Sequence, residues 1–290
     1  MKIALPHCFT HHSLARYTSL RIGGPADYVL IPHSADELTA ALQQIPPDFP
    51  VTYLGLGSNT LISDTGIRGL VIILQGSGLT RMEVSEAGIY VEAGVACGQL
   101  ARFSARNDFA GLEFMAGIPG TLGGALAMNA GCYGGETWDN VRYVKTMDRQ
   151  GCIHQRDKAE FSIAYREAKG CAGELFLAAR FDLPKGEKAI SLDRIKTLLA
   201  QRNAAQPTNF PNCGSVFRNP PGGHAARLIE ACGLKGRQIG GAQISEKHAN
   251  FIVNIGDAGA GDVLALIELM QSSVKEKFGI QLQKEVKVLG

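Results

Sequence analysis

Gly117-Ile118-Pro119-Gly120-Thr121-Leu122-Gly123-Gly124 is the most informative run of this chain. Glycine also stands at 111, 131, 134 and 135 around it, and Asn129-Ala130-Gly131-Cys132-Tyr133-Gly134 follows directly. Close-set glycines let backbone N–H groups turn toward one anionic group without obstruction by Cβ. The expected cargo is a phosphate or pyrophosphate, which a nucleotide cofactor supplies. Neither common glycine fingerprint is present: no Lys-Ser/Thr ends a P-loop, and the glycines are not spaced G-x-G-x-x-G. Ile118, Leu122, Leu126 and Met128 interleave with the glycines, which argues against a plain linker. Taken alone, the stretch also fits a glycine turn without a ligand.

Upstream, Ser34-Ala35-Asp36-Glu37 reads as a capping box that opens a helix through Leu38, Leu42 and Ile45, stopped by Pro46-Pro47. Val51–Leu54 reads as a strand running into a second glycine turn, Gly55-Leu56-Gly57-Ser58-Asn59-Thr60-Leu61. Apolar Leu70–Leu74 reads as a buried strand. Ile89–Ala93, Val141–Met147 and Leu175–Leu183 are further strands, with a short helix near Cys97–Arg106. Polar Pro184-Lys185-Gly186-Glu187-Lys188 reads as a linker. Beyond it come helices at Leu192–Ala204 and Ala225–Cys232, a strand at Asn250–Ile255 and a final alternating strand at Glu285–Leu289. Val263, Leu266, Ile267, Met270 and Val274 mark one helix face as core, opened by Asp262 and closed by Gly279.

Composition narrows the function. With 290 residues, 45% of them hydrophobic, the chain can bury a core large enough for two or three domains. Lys and Arg number 29 against 27 acidic residues with no long basic run, so nucleic acid is not an expected partner. The 7 cysteines are scattered and form no C-x-x-C, which suits reduced thiols in a cytoplasm. No apolar stretch has the length of a signal-peptide core or a membrane span. His7 and His11 are spaced for two ligands on a helix face, but a mobile, solvated N-terminal segment is the expectation.

Gly214-Ser215-Val216-Phe217-Arg218-Asn219-Pro220-Pro221 packs a hydroxyl, a guanidinium and an amide after one glycine. An extended 215–218 would place Ser215 and Phe217 on one face and Val216 and Arg218 on the other. A bare strand edge with a proline stop fits the same residues. Tyr165-Arg166 lies between two expected strands, and Glu285 in the terminal strand; each charge equally suits a solvated surface. No G-x-S-x-G, H-E-x-x-H, EF-hand loop or kinase signature occurs.

Together these blocks resemble the UDP-N-acetylenolpyruvoylglucosamine reductase family. In order they are Thr18-Ser19-Leu20-Arg21-Ile22-Gly23-Gly24-Pro25-Ala26, Gly55–Leu61, Gly117–Gly124 with Asn129–Gly134, Tyr165-Arg166, Gln206-Pro207, Gly214–Pro220, His248–Asn254 and Glu285-Val286. The resemblance implies an α+β fold: a two-part FAD-binding region of the vanillyl-alcohol-oxidase (PCMH) type over 15–187, split near 75–80, then a smaller α+β substrate-binding domain over 191–290. It implies FAD held by Gly55, Gly57, Ser58, Asn59, Thr60, Gly117, Ile118, Pro119, Gly120, Gly123, Gly124, Ala127 and Asn129.

NADPH is implied as electron donor and UDP-N-acetylglucosamine enolpyruvate as substrate, reduced to UDP-N-acetylmuramate for peptidoglycan. Hydride would pass from flavin N5 to the vinyl carbon. Arg166 would face the carboxylate and Glu285 would act as a protonated or proton-sharing donor, since developing negative charge needs fixed donors aimed at it. Ser215 would deliver the proton, and Tyr165, Arg218 and Asn219 would contact substrate, although Asn219 equally suits fixing a turn. A cytoplasmic monomer without metal or membrane contact is expected. The short span from Arg166 to Ser215 resembles the shorter type, which lacks an inserted tyrosine-bearing segment. Ala168, Cys132 and Thr60 stand where the family usually has serine, alanine and leucine; a buried, inert thiol is expected of Cys132. An FAD-dependent alcohol or sugar oxidase and a non-catalytic nucleotide-binding module are the alternatives.

Overall fold

The computed structural model describes residues 6–290. Its contacts divide the chain into two compact units. The first holds Tyr28–Leu56, Gly69–Gln201 and the described residues through Thr10; the second holds His11–Asp27, Gly57–Arg68 and Arg202–Gly290.

The first unit is built on an antiparallel sheet in the order Ile153–Asp157, Val141–Met147, Leu175–Asp182, Gly88–Glu92 and Met82–Ser85. Strands rich in Val, Leu and Phe suit a pleated, half-buried surface. The helices Cys97–Arg106 and Leu122–Ala127 contribute Leu100, Ala101, Leu122 and Leu126 to the core beside Trp138, Phe161 and Phe176. Trp138 is buried with its one donor satisfied, Nε1 donating to Leu126 O at 2.8 Å.

A second core forms where the helix Ala35–Gln43 lays Leu38, Ala41 and Leu42 against Leu70, Ile72 and Leu177. Ser34 caps this helix, its Oγ accepting from Glu37 N at 3.1 Å. The reciprocal arm of the capping box is redirected. Glu37 accepts from His33 N at 2.7 Å and meets His7 Nδ1 at 2.8 Å.

That contact corrects the expectation for the N-terminal segment. Cys8–Ser13 is a strand, and the His7 ring stacks on His33 at 3.6 Å, so the segment is tied down rather than mobile, though largely exposed. Among the described residues no cluster of His, Cys, Asp or Glu is placed to hold a metal. The expected linker is also held. Ala110 N donates to Pro184 O and Gly186 N to Asp108 O, and the helix Lys188–Ala205 starts at once.

The second unit carries an antiparallel sheet in the order Asn212–Ser215, Phe251–Asn254, Ala242–Ile244 and Gln238–Ile239. The helix Ala260–Phe278 buries the expected Val263, Leu266, Ile267, Met270 and Val274, and Gly279 ends it at φ +70°. The helix Ala225–Ala231 adds Ile229 to the same core. The terminal strand is shorter than expected, Lys287–Leu289, and pairs in parallel with Thr60–Ile62.

The extended run considered for 215–218 is not formed, because the strand ends at Ser215; Val216 and Phe217 beyond it are both buried, at 0% and 1% exposure. Gly214 sits at φ +73° and the pairing with Phe251–Asn254 shifts register between Asn212 and Ser215. This bulge lies within the strand Asn212–Ser215, before the 216–218 segment. Asn250 then holds both sides of Phe217, accepting from its N–H at 3.0 Å and donating to its carbonyl at 2.8 Å.

Candidate functional site

In the first unit, Thr121 opens the helix Leu122–Ala127, with Oγ1 accepting from Gly124 N. Small residues therefore continue past the turn because they form a helix, for which Thr121 three residues before Gly124 was the available signal. Gly123 is required by packing: an added Cβ would lie 3.1 Å from both Ala93 Cβ and Leu74 Cδ1. The backbone N–H groups of the segment are largely spent within the fold. Leu122 N donates to Val95 O, Gly123 N to Ala93 O, Ile118 N to Met115 O and Gly120 N to Ile118 O. What the segment offers a ligand is close approach of its backbone, rather than the ring of N–H donors expected from its glycines.

A cavity of about 310 Å³ lies beside this helix, lined by Gly55, Gly123, Gly124 and Ala127 and by Tyr53 and Glu174. An added Cβ at Gly124 would meet only Thr121 Oγ1, at 3.7 Å, so glycine leaves open space there. At Gly55 the same atom would come within 2.5 Å of Thr121 Oγ1. A cavity walled by bare backbone fits part of a flat, phosphate-bearing cofactor such as FAD. Gly117, Ile118, Pro119 and Gly120 do not line it; a Cβ on Gly117 would strike the Tyr133 ring at 2.8 Å.

Tyr53 and Glu174 had no sequence signal. Burial raises the pKa of the Tyr53 phenol, while the Arg156 guanidinium, with Nε 2.8 Å from Glu174, holds that carboxyl below its ordinary value. Cys132 is half-buried rather than buried, its thiol donating to Phe114 O at 3.1 Å.

Tyr165-Arg166 forms the two-residue turn of a hairpin between Ser162–Ala164 and Glu167–Lys169. Arg166 adopts φ +58°, with its guanidinium 4.9 Å from the centre of the Tyr165 ring, which is 47% exposed. Ala168 and Lys169 of the second arm line the cavity, so the turn is carried on its wall. Asn129 is buried, and its amide donates to Glu136 Oε2 and to Ala164 O.

The second unit gathers the remaining candidates. Val216 N, next to Ser215, donates to Asn250 O, while Val216 O accepts from Glu285 N at 2.8 Å. Asn59 Nδ2 donates to Glu285 O at 3.1 Å, and Asn59 O accepts from Lys287 N at 2.9 Å. A Cβ built on Gly214 would stand 3.6 Å from Ser58 O. Asn59, Val216 and Glu285, remote in sequence, thus share one hydrogen-bond network, with Ser215 beside Val216. Gly57 enters it at φ +64°, where an added Cβ would lie 2.2 Å from Tyr17 O. Thr60 is buried in the parallel pairing with Lys287. Arg218 N donates to Gln283 O, and Asn219 Oδ1 accepts from Ala225 N at 3.1 Å, so the Asn219 side chain fixes the turn before Ala225–Ala231.

With the geometry in place, comparison with known proteins is direct. A family model described as UDP-N-acetylenolpyruvoylglucosamine reductase, C-terminal domain, matches residues 206–289. A model described as FAD binding domain matches residues 26–156. A UDP-N-acetylenolpyruvoylglucosamine reductase from Alkalilimnicola ehrlichii is 52% identical over 96% of this chain and 93% of its own length. One from Legionella pneumophila (strain Corby) is 54% identical over 96% of this chain and 90% of its own. The crystal structure of UDP-N-acetylenolpyruvylglucosamine reductase from Thermus caldophilus superposes with a TM-score of 0.83 at 33% identity, covering 98% of both chains.

Proposed function

The chain belongs to the UDP-N-acetylenolpyruvoylglucosamine reductase family, and on that premise we propose that it takes electrons from NADPH to convert UDP-N-acetylglucosamine enolpyruvate to UDP-N-acetylmuramate. It is an oxidoreductase with FAD as cofactor and the α+β fold of vanillyl-alcohol-oxidase-type flavoproteins. FAD, which Gly55, Gly123, Gly124 and Ala127 would hold, would supply hydride to the enolpyruvyl double bond with NADPH as the electron source.

Arg166 faces the substrate carboxylate, into which negative charge spreads as the hydride arrives, and Glu285 steadies the same charge as a donor. Ser215 Oγ gives its proton to the carbon next to the carboxylate and is then reprotonated through its hydrogen-bonded surroundings. Tyr165 and Arg218 contact substrate, and Asn219 shapes the turn beneath it. Residues 15–187, split near 75–80, bind FAD, with Gly55, Gly123, Gly124 and Ala127 nearest to it, and 191–290 bind the UDP-sugar. The protein works as a monomer in the cytoplasm, which its 7 cysteines without a C-x-x-C pair suit.

The observation that carries this reading is the network joining Asn59, Val216 and Glu285, because it sets Ser215 and Glu285 beside the second glycine turn. Without oxygen, NADPH should be consumed catalytically only when the enolpyruvyl sugar is present, with UDP-N-acetylmuramate as product. Steady NADPH oxidation that needs oxygen and ignores the sugar would make the protein an oxidase instead.

A further inference from the structure

We propose that Asn129 is a positioning residue that sets the turn bearing Arg166, and not a group that touches the cofactor; this rests on Arg166 meeting substrate as proposed above. Asn129 is 0% exposed and both N–H donors of its amide are used inside the protein. Nδ2 donates to Glu136 Oε2 at 2.7 Å and to Ala164 O at 3.1 Å, and Oδ1 accepts from Trp138 N at 3.3 Å. A primary amide has two N–H donors, so none is left for a ligand.

Ala164 is the last residue of the first hairpin arm and pairs with Glu167 across the turn. The bond from Asn129 therefore reaches the carbonyl immediately before Tyr165-Arg166. The hairpin needs this anchor on two grounds. Its arms span only Ser162–Ala164 and Glu167–Lys169, and a two-stranded ribbon of that size is marginal by itself. Arg166 also holds a left-handed backbone, φ +58°, which a residue with Cβ keeps only where its surroundings over-determine it.

The anchor is itself fixed. Asn129 N donates to Leu126 O, and Ala130 N to Ala125 O, closing the helix Leu122–Ala127. Asn129 thus ties the helix that walls the cavity, through Gly123, Gly124 and Ala127, to the turn that carries the guanidinium. It converts the placement of one into the placement of the other.

The test is a double-mutant cycle read on separated half-reactions. N129D keeps the shape but sets an oxygen against Ala164 O and the Glu136 carboxylate. FAD should stay bound and reduction by NADPH should stay within about twofold, while reoxidation by the enolpyruvyl sugar slows by about 10–100-fold, the cost of a misplaced group. In the R166K background the same change should add less than about twofold, because the two residues act as one unit. E136Q keeps an acceptor for the amide and should retain nearly the parental rate. Should N129D fail to fold, E136A removes the other partner of the same amide and should reproduce the selective loss. Equal slowing by N129D in both backgrounds, or loss of FAD with no effect on reoxidation once FAD is restored, overturns the proposal. If R166K alone leaves reoxidation untouched, the reading of Arg166 itself fails and the positioning claim goes with it.

Discussion

The two glycine turns look alike in sequence and differ in what makes them glycine. In Gly117–Gly124, Gly117 and Gly123 sit close against side chains while Gly124 leaves open space, and the segment's N–H groups mostly bond to their own fold. In Gly55–Asn59 the constraint at Gly57 is conformational: its φ of +64° is one that residues with Cβ rarely adopt. Each turn also leads to a different part of the chemistry. The first continues into the helix and the Asn129 anchor below the Arg166 turn. The second is bonded through Asn59 to Glu285 and Lys287, and Glu285 in turn to Val216 next to Ser215. Glycine density alone therefore does not say what each backbone position is used for.

The largest expected effect lies beside the second turn. Ser215→Ala should slow reoxidation of reduced flavin by the sugar about 10³-fold while leaving reduction by NADPH nearly intact, in the range for loss of a general acid. Single-turnover absorbance separates the two steps, and equal loss in both would make Ser215 structural. Next in size, Gly57→Ala must force a Cβ against Tyr17 O in a left-handed backbone. A loss of about 2–3 kcal/mol of stability is expected by urea unfolding. A neutral result would erase the contrast between the turns.

Gly124→Ala should do the opposite in the first turn. Its methyl has room in the folded protein but enters the cavity, so apo-protein stability should hold within about 0.5 kcal/mol. FAD affinity should fall about tenfold, some 1.4 kcal/mol, by equilibrium dialysis. Unchanged affinity would move the cofactor away from this helix.

The smallest effect concerns the cavity wall. Arg156 depresses the folded-state pKa of Glu174 below its ordinary 4.5, so the stabilisation is complete above that value and is lost as pH falls through the folded value. Glu174→Gln should cost about 1 kcal/mol at pH 7 and progressively less as pH falls below 4.5. A difference that persists in acid would assign the contribution to packing.

Elements with a local cause were legible in the sequence. The stripe Val263, Leu266, Ile267, Met270 and Val274 and its stop at Gly279 report burial and capping within one helix, and both match. Ser34 was legible as a cap for the same reason. Non-local partnerships were not. The pairing of Glu174 with Arg156 depends on their placement in the folded unit, and Asn129 had no periodic or turn signal pointing to Ala164. The bulge at Gly214 was foreshadowed by the glycine itself. At the site, the blocks around Ser215 and Glu285 were visible as a resemblance. That backbone bonds tie them to Asn59 needed the fold, because pairing partners more than two hundred residues apart leave no mark in either segment.

The most direct test of the account begins with protein bleached by NADPH in the absence of oxygen, to which UDP-N-acetylglucosamine enolpyruvate is then added. The account predicts that the oxidised flavin spectrum returns with about one UDP-N-acetylmuramate formed per flavin, the stoichiometry of two sequential half-reactions. Flavin that stays bleached until air is admitted, with the sugar recovered unchanged, would contradict it.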